Sequence, residues 1–282
     1  TNNGATEIQT NVWTPRLNAE SDTLPSTALV SSDLQFNSAY SSFSLDFDGI
    51  NDSINCGTNE IVTGAFTASM WIKRELTGGD STQTFFSKAD VNGSRTFSCF
   101  MTKSTGVLQF YVTNTGSIIN NKRIATSDTI TDENWHHLVF VNGGDSGLLK
   151  IYIDGSEASL TTSGELGTSS LFSSSIPNII GDTNVGGSNF IGNIDEVSIF
   201  NSAFNQAQVS QVYNNGYPAD LTSLSPVSWW RLGEDAYFDG TDFIIPNKIT
   251  GAPNGTSQNM TAADLVADAP GSYAAGLGSS LA

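Results

Sequence analysis

Hydrophobic and polar positions change period once, sharply, within FIGNIDEVSIFNSAFNQAQVSQVYNNG at 190–216. From Ile194 to Phe200 they alternate, which puts Asp195, Val197 and Ile199 on one strand face and Ile194, Glu196, Ser198 and Phe200 on the other. The alternation then gives way to a short helix. Asn205 stands as its N-cap, Gln208 completes a capping-box spacing, and Phe204 and Val209 fit a hydrophobic staple. Gly216 is expected to close the helix after Asn214 and Asn215. A carboxylate sharing a face with Val197 and Ile199 is expected to point into a core. That is costly unless the charge is paired, hydrogen-bonded or metal-bound, so Asp195 is the first residue to explain.

Period-two stretches recur upstream. SLDFDGINDSINCG reads as a strand, a turn at Asp48-Gly49 and a second strand through Ile54. AFTASMWIK sets Phe66, Ala68, Met70 and Ile72 against Thr67, Ser69, Trp71 and Lys73. Further strands are predicted at 84–87, 96–102 and 107–113, with turns marked by Asn114, Gly116 and Asn120-Asn121. NWHHLVFVNGG and SGLLKIYIDGS form a hairpin signal around Asn142-Gly143-Gly144-Asp145. A Ser/Thr/Gly-rich loop at 161–175 follows, and PNIIGD leads back to the strand before the helix. The pattern predicts an all-β, antiparallel two-sheet jelly-roll sandwich with one short helix. Residues 1–40 lack a period but carry Trp13, Leu17, Leu24, Leu29 and Val30, which predicts an irregular arm that docks. The sandwich is expected over 41–217. Residues 218–282 form a C-terminal extension, docking or completing the sandwich, in which the adjacent Trp229 and Trp230 face opposite sides of a strand.

Composition narrows the function classes. With 282 residues, 38% of them hydrophobic, the chain can bury a substantial core. Its net charge of −17, with 11 Lys and Arg, argues against binding nucleic acid or an anionic membrane. No apolar run reaches a membrane-spanning length, and no signal-peptide pattern opens the chain. It begins with Thr1 rather than Met, so removal of a preceding segment is expected. Cys56 and Cys99, both in strand-like contexts, read as buried free thiols in preference to a disulfide.

The blocks SLDFDGINDSINCG, NWHHLVFVNGG with LLKIYIDG, and IGNIDEVSIFNSAFNQAQVSQVYNNG, in that order, resemble the laminin-G-like, concanavalin A-like jelly-roll family over 41–217. The resemblance implies two stacked antiparallel sheets, one concave, with a calcium ion near one edge. It implies Asp48, in the Asp-Gly turn, and Asp195, in the IDEV strand, as metal-ligating carboxylates. The alternative is that Asp195 accepts backbone N–H bonds and Asp48 caps a turn. The segment VSWWRLGE…NKITGAPNGT resembles a strand-and-turn element that accompanies such domains, commonly before them; here it follows. With its ending DLVADAP, the tail is also similar to structural proteins of marine bacteriophages.

Catalysis finds little support. Concanavalin A-like glycosidases carry an E-x-D-x-x-E triplet on one strand face, and none occurs here. Strict alternation would put Asp195 and Glu196 on opposite faces, away from paired-carboxylate geometry. His136 and His137 likewise face opposite ways, which favours a structural role over a shared metal. Trp71, Tyr111 and Tyr152 could stack a sugar ring by strand position, although an aromatic in a sandwich is more often core. The reading is a non-enzymatic virion surface structural protein, a fibre, decoration or tail component, whose partners are other virion proteins or copies of itself and a cell-surface glycan. The alternative is a secreted, extracellular bacterial carbohydrate-binding module or adhesin.

Overall fold

A computed structural model describes residues 41–271, apart from 60–61, 63, 80, 91–93, 118–120, 162–164, 166 and 185. The predicted arm at 1–40 and the last residues, 272–282, lie outside the described residues. In chain order the strands are β1 (Ser44–Asp48), β2 (Ser53–Asn55), β3 (Phe66–Arg74), β4 (Thr82–Ala89), β5 (Arg95–Thr102) and β6 (Val107–Val112). They continue with β7 (Lys122–Thr129), β8 (Trp135–Asn142), β9 (Leu149–Ile153), β10 (Ser156–Glu157), β11 (Ile179–Ile180) and β12 (Ile191–Phe200). After helix α1 (Gln206–Tyr213) come β13 (Ser228–Trp230), β14 (Tyr237–Phe238), β15 (Phe243–Ile245), β16 (Gly255–Gln258) and β17 (Leu265–Val266).

Two antiparallel sheets stack face to face. The first runs β10-β9-β8-β3-β12-β1-β17, with β13 also paired to β12; the second runs β14-β15-β16-β2-β11-β4-β5-β6-β7. Between them lies one apolar cluster that includes Phe47, Phe66, Met70, Phe85, Phe110, Phe140, Ile194, Val197 and Trp230, all fully buried. The alternation predicted for β3 holds, since Phe66, Ala68, Met70 and Ile72 all belong to this core. Cys56 and Cys99 are buried free thiols in it.

The strand, turn and strand expected over 44–54 are present as β1 and β2, but the two strands do not pair with each other, and this is a first correction to a local reading. β1 pairs with β12 and β17, whereas β2 pairs with β11 and β16 in the opposite sheet. The Asp48-Gly49 turn therefore carries the chain across the sandwich. Gly49 sits at φ +72, where a Cβ would lie 2.7 Å from Ile191 Cβ, so turn and packing both exclude a side chain. β7 is a strand that the polar sequence KRIATSDT did not announce.

A second correction concerns β12. Asp195 pairs with Trp71 and Ser198 with Ser69, so one extra residue is accommodated between them in a β-bulge. Glu196 there adopts φ 52, the left-handed region that non-glycine residues seldom enter. The bulge reverses the parity of the strand. Ile194 lies in the inter-sheet core together with Val197 and Ile199, and Asp195 shares the outer face with its neighbour Trp71. Asp195 is completely buried, but not among the core side chains where strict alternation put it.

The C-terminal extension completes both sheets. β13 pairs with β12 through Val197↔Trp230 and Ile199↔Ser228, next to the stretch where β1 pairs through Leu45↔Ile194. β16 extends the second sheet beside β2, and β17 extends the first beside β1. Helix α1 covers the outer face of the first sheet. Asn205 and Gln208 form the full capping box, and the left-handed residue that ends the helix is Asn214, ahead of Gly216. Phe204, Val209 and Val212 pack with Val139, Tyr152, Phe200 and Trp229 in a separate buried cluster. The two adjacent tryptophans thus serve two cores, Trp230 the inner and Trp229 the outer.

Candidate functional site

The bulge gathers acids that the alternation pattern kept apart. One oxygen each from Asp195, Glu196 and Glu234 lie within 4.8 Å of one another. Asp195 Oδ1 accepts the Glu196 N–H at 2.8 Å, and its Oδ2 accepts from Ser41 Oγ at 2.5 Å. Glu196 accepts from Trp229 Nε1 at 2.6 Å and Arg231 Nε at 2.8 Å. Glu234 accepts the N–H groups of Ser42 and Phe43 and faces Arg231 Nη2 at 3.4 Å. Burial above all, then the charge of Glu196, holds the Asp195 carboxyl well above the usual carboxylate range. Burial raises Glu196 as well, with Arg231 and Trp229 pulling it back. Ser41 precedes β1, and Trp229, Arg231 and Glu234 follow α1, so the cluster is a knot tying segments on either side of the sandwich strands to β12.

Asp48 takes no part in this knot. It pairs with Ile191, while Ile194 pairs with Leu45, so Asp195 lies four residues along, roughly 13 Å at about 3.3 Å per residue. Asp48 Oδ1 accepts the N–H groups of Ile50 and Asn51 at 2.8 and 3.2 Å, a turn-capping role. The structure does not bring Asp48 and Asp195 together. Calcium, implied by the resemblance, favours six to eight oxygens. In the knot the carboxylates already answer to hydroxyl, indole, backbone and guanidinium donors, and Arg231 supplies the positive charge. That donor set does not fit a calcium ion.

The candidate aromatics are enclosed. Tyr152 is 1% exposed in the cluster beneath α1, and Tyr111 packs on Phe100 at 6.0 Å. Trp71, 4% exposed, lies between His137 at 4.9 Å and Tyr213 at 6.0 Å. His137 Nε2 meets Ser69 Oγ at 2.8 Å, and burial lowers its imidazole pKa to about 3. His136 instead contacts Asp154 and Asp132. Asp154 also accepts the His137 backbone N–H at 2.8 Å, but the two imidazole rings bond to different partners.

Among the described residues, a polar groove opens on the second sheet. One part, about 530 Å³, is lined by Asn55, Asp242, Asn254, Thr256 and Gln258 among others; an adjoining part, about 250 Å³, includes Asn51, Asp182 and Asn184. Gln258 and Asn259 border both. Its floor follows from register. Thr256 pairs with Asn55 and Gln258 with Ser53, and with Ile54 in the core, Asn55 faces outward. Three amides are pre-oriented. Asn55 Oδ1 accepts the Gly57 N–H at 2.9 Å, Asn254 Oδ1 the Asn247 N–H at 3.0 Å, and Gln258 Oε1 the Ser53 hydroxyl at 3.2 Å. Each carbonyl oxygen is held by the chain, which leaves the NH₂ groups to donate. Sequence reasoning missed this site because its walls lie some 200 residues apart; the amide- and hydroxyl-rich run NGTSQN at 254–259 was its one local signal.

A laminin-G-type family model, described as the concanavalin A-like lectin/glucanases superfamily, matches residues 48–210, more than half of the chain. Among solved structures, the crystal structure of a Bacteroides ovatus protein assigned to carbohydrate binding superposes with a TM-score of 0.60 at 18% identity, over 81% of this chain and 61% of that one. The adhesion G-protein coupled receptor V1 of Danio rerio is 25% identical over 172 residues, 60% of this chain but 3% of the receptor. The chain thus spans less than two thirds of either relative. Among the described residues no helix is long and apolar enough to cross a membrane. By its two antiparallel sheets and the match over 48–210, the chain belongs to the concanavalin A-like lectin/glucanases superfamily.

Proposed function

We propose that this chain is a non-catalytic, extracellular, lectin-like module that binds glycan through the polar groove of the second sheet. The observation that carries the reading is the groove itself. Ligand pockets commonly run from about 300 to 1,000 Å³, and this one offers oriented amide donors beside carboxylate and hydroxyl acceptors, the complement of a polyhydroxylated ligand. The relative assigned to carbohydrate binding agrees with a glycan ligand, and the receptor's name with an adhesive role. Non-catalysis is part of the proposal. Among the described residues the cluster of three acids at β12 is buried and held by Arg231, Trp229 and Ser41. The test is saturable binding of oligosaccharides to the full chain without release of reducing ends. Hydrolysis of any glycan it binds would overturn the non-catalytic reading.

The display context is a finer proposal. A virion surface, with docking on other virion proteins or on copies of this chain, draws support from the similarity of the tail. Yet β13 to β17 are engaged within the sandwich itself, which favours the secreted carbohydrate-binding or adhesin reading. Labelling of the source material with an antibody to this chain, viewed by electron microscopy, separates the two: particles labelled on their exterior, or cell surfaces and medium.

A further inference from the structure

Resting on the glycan-binding reading, we propose that the groove selects uncharged oligosaccharides over sialylated, sulfated or uronate-bearing ones, and that its selectivity is built by the C-terminal strand β16. The lining carries Asp242 in one part and Asp182 in the other, and no Lys, Arg or His in either. Three amide NH₂ groups alone would also suit an oxyanion. The two aspartates decide against one, because an acidic sugar would be set beside like charge in a chain of net charge −17. A neutral hydroxyl does better, donating to an aspartate while it accepts from an amide.

Two cations near lining residues are already engaged: Lys88 Nζ donates to the Thr58 and Ile176 carbonyls at 3.0 and 2.9 Å, and Lys248 pairs with Asp235 at 3.3 Å. Two more sit farther along the sheet. Arg95 contacts the Tyr111 hydroxyl at 3.4 Å, and Arg123 lies over the Phe100 ring at 5.4 Å, both on the β5–β7 side. From β2 the sheet order counts three strand spacings to Arg95 on β5 and five to Arg123 on β7, roughly 14 and 24 Å at about 4.8 Å each. That is about two and three Debye lengths at physiological salt, so their field at the groove is strongly screened. Thr256, Gln258, Asn254 and Asp242 all lie beyond residues 48–210, so one wall of the groove is an addition to the matched domain, which supplies the other through Asn55 and Asp182.

The test is a glycan array probed with the full chain, with neutral, sialylated, sulfated and uronate-bearing glycans, followed by calorimetric titration of the hits. Neutral glycans should bind. Gln258→Ala, an exposed change, should weaken them several-fold, and Asn55→Ala with Gln258→Ala tenfold or more, at an unchanged melting temperature for the first. Asp242→Asn should narrow the gap between neutral and acidic glycans. Acidic glycans bound better than neutral ones, with affinity lost in Arg95→Gln or Arg123→Gln and kept in Gln258→Ala, would overturn this inference and leave glycan binding standing. No binding to any class would overturn the glycan-binding reading itself.

Discussion

Replacing Asp195 by Asn tests the carboxylate knot directly. Asp195 is wholly buried, and the three carboxylates approach within 4.8 Å with a single guanidinium among them. Two unit charges about 4.8 Å apart at an effective dielectric constant of about 20 repel by roughly 3.5 kcal/mol. Arg231 offsets that for Glu196, to which it bonds directly, more than for Asp195. The folded protein therefore keeps a proton on Asp195 that the unfolded chain releases above about pH 4. With more protons bound in the folded state, stability falls as pH rises, by at most ~1.4 kcal/mol per unit, until the folded group ionises too. Asn mimics the protonated form and abolishes this contribution. The Asp195→Asn variant should thus gain on the wild type between pH 5 and pH 8, by about 2–3 kcal/mol. Urea unfolding followed by tryptophan fluorescence at both pH values measures the difference, in which titrating groups away from the knot cancel while Glu196, beside Asp195, belongs to the effect. A constant offset at the two pH values, or a variant that loses more at pH 8, would show that Asp195 is held as an anion and refute the reasoning.

The remaining predictions concern packing. Trp230→Ala removes a fully buried ring that packs on Phe86 at 6.2 Å and should cost about 3–5 kcal/mol in chemical denaturation; a loss under 1 kcal/mol would detach the extension from the core. Deleting 226–282 strips β13 from β12, β16 from β2 and β17 from β1, so the remainder should show no cooperative thermal transition by circular dichroism, and a sharp one would restore a docking role for that segment. Gln83 is fully buried, with neither amide atom hydrogen-bonded among the described residues, so Gln83→Met should raise stability by roughly 1–2 kcal/mol; a lowered melting temperature would mean that the amide is satisfied.

What the sequence showed and what it hid divide along a physical line. The α1 cap was legible because Asn205, Phe204, Gln208 and Val209 act over one helical turn, where spacing fixes contact. The β3 faces were legible because a regular strand keeps its period from end to end. The face of Asp195 was not, since one left-handed residue, Glu196, resets the parity of β12, and nothing in IDEV distinguishes a bulged strand from a straight one. The pairing of β1 was hidden for a related reason. A turn signal at Asp48-Gly49 says that the chain reverses, not whether it returns to the same sheet.

The bulge also explains why the tail belongs to the fold. β1 pairs with β12 through Ile194, and β13 takes up the same strand from Val197, on the far side of Glu196. At that break the two outward carboxylates are enclosed, and the groups that satisfy them come from beyond the matched domain: Ser41 before it, Trp229 and Arg231 after it. Asp195, which sequence reasoning weighed as a metal ligand, thus acts with Glu196 as the fastening for a C-terminal segment. Once fastened, that segment lays β16 beside β2 and so forms one wall of the groove. A change that loosens the knot should therefore weaken ligand binding without touching a lining residue. Arg231→Met leaves Glu196 buried and unpaired, at a cost of about 3–5 kcal/mol, and the groove should lose affinity in step with protection of the β16 amides from hydrogen exchange.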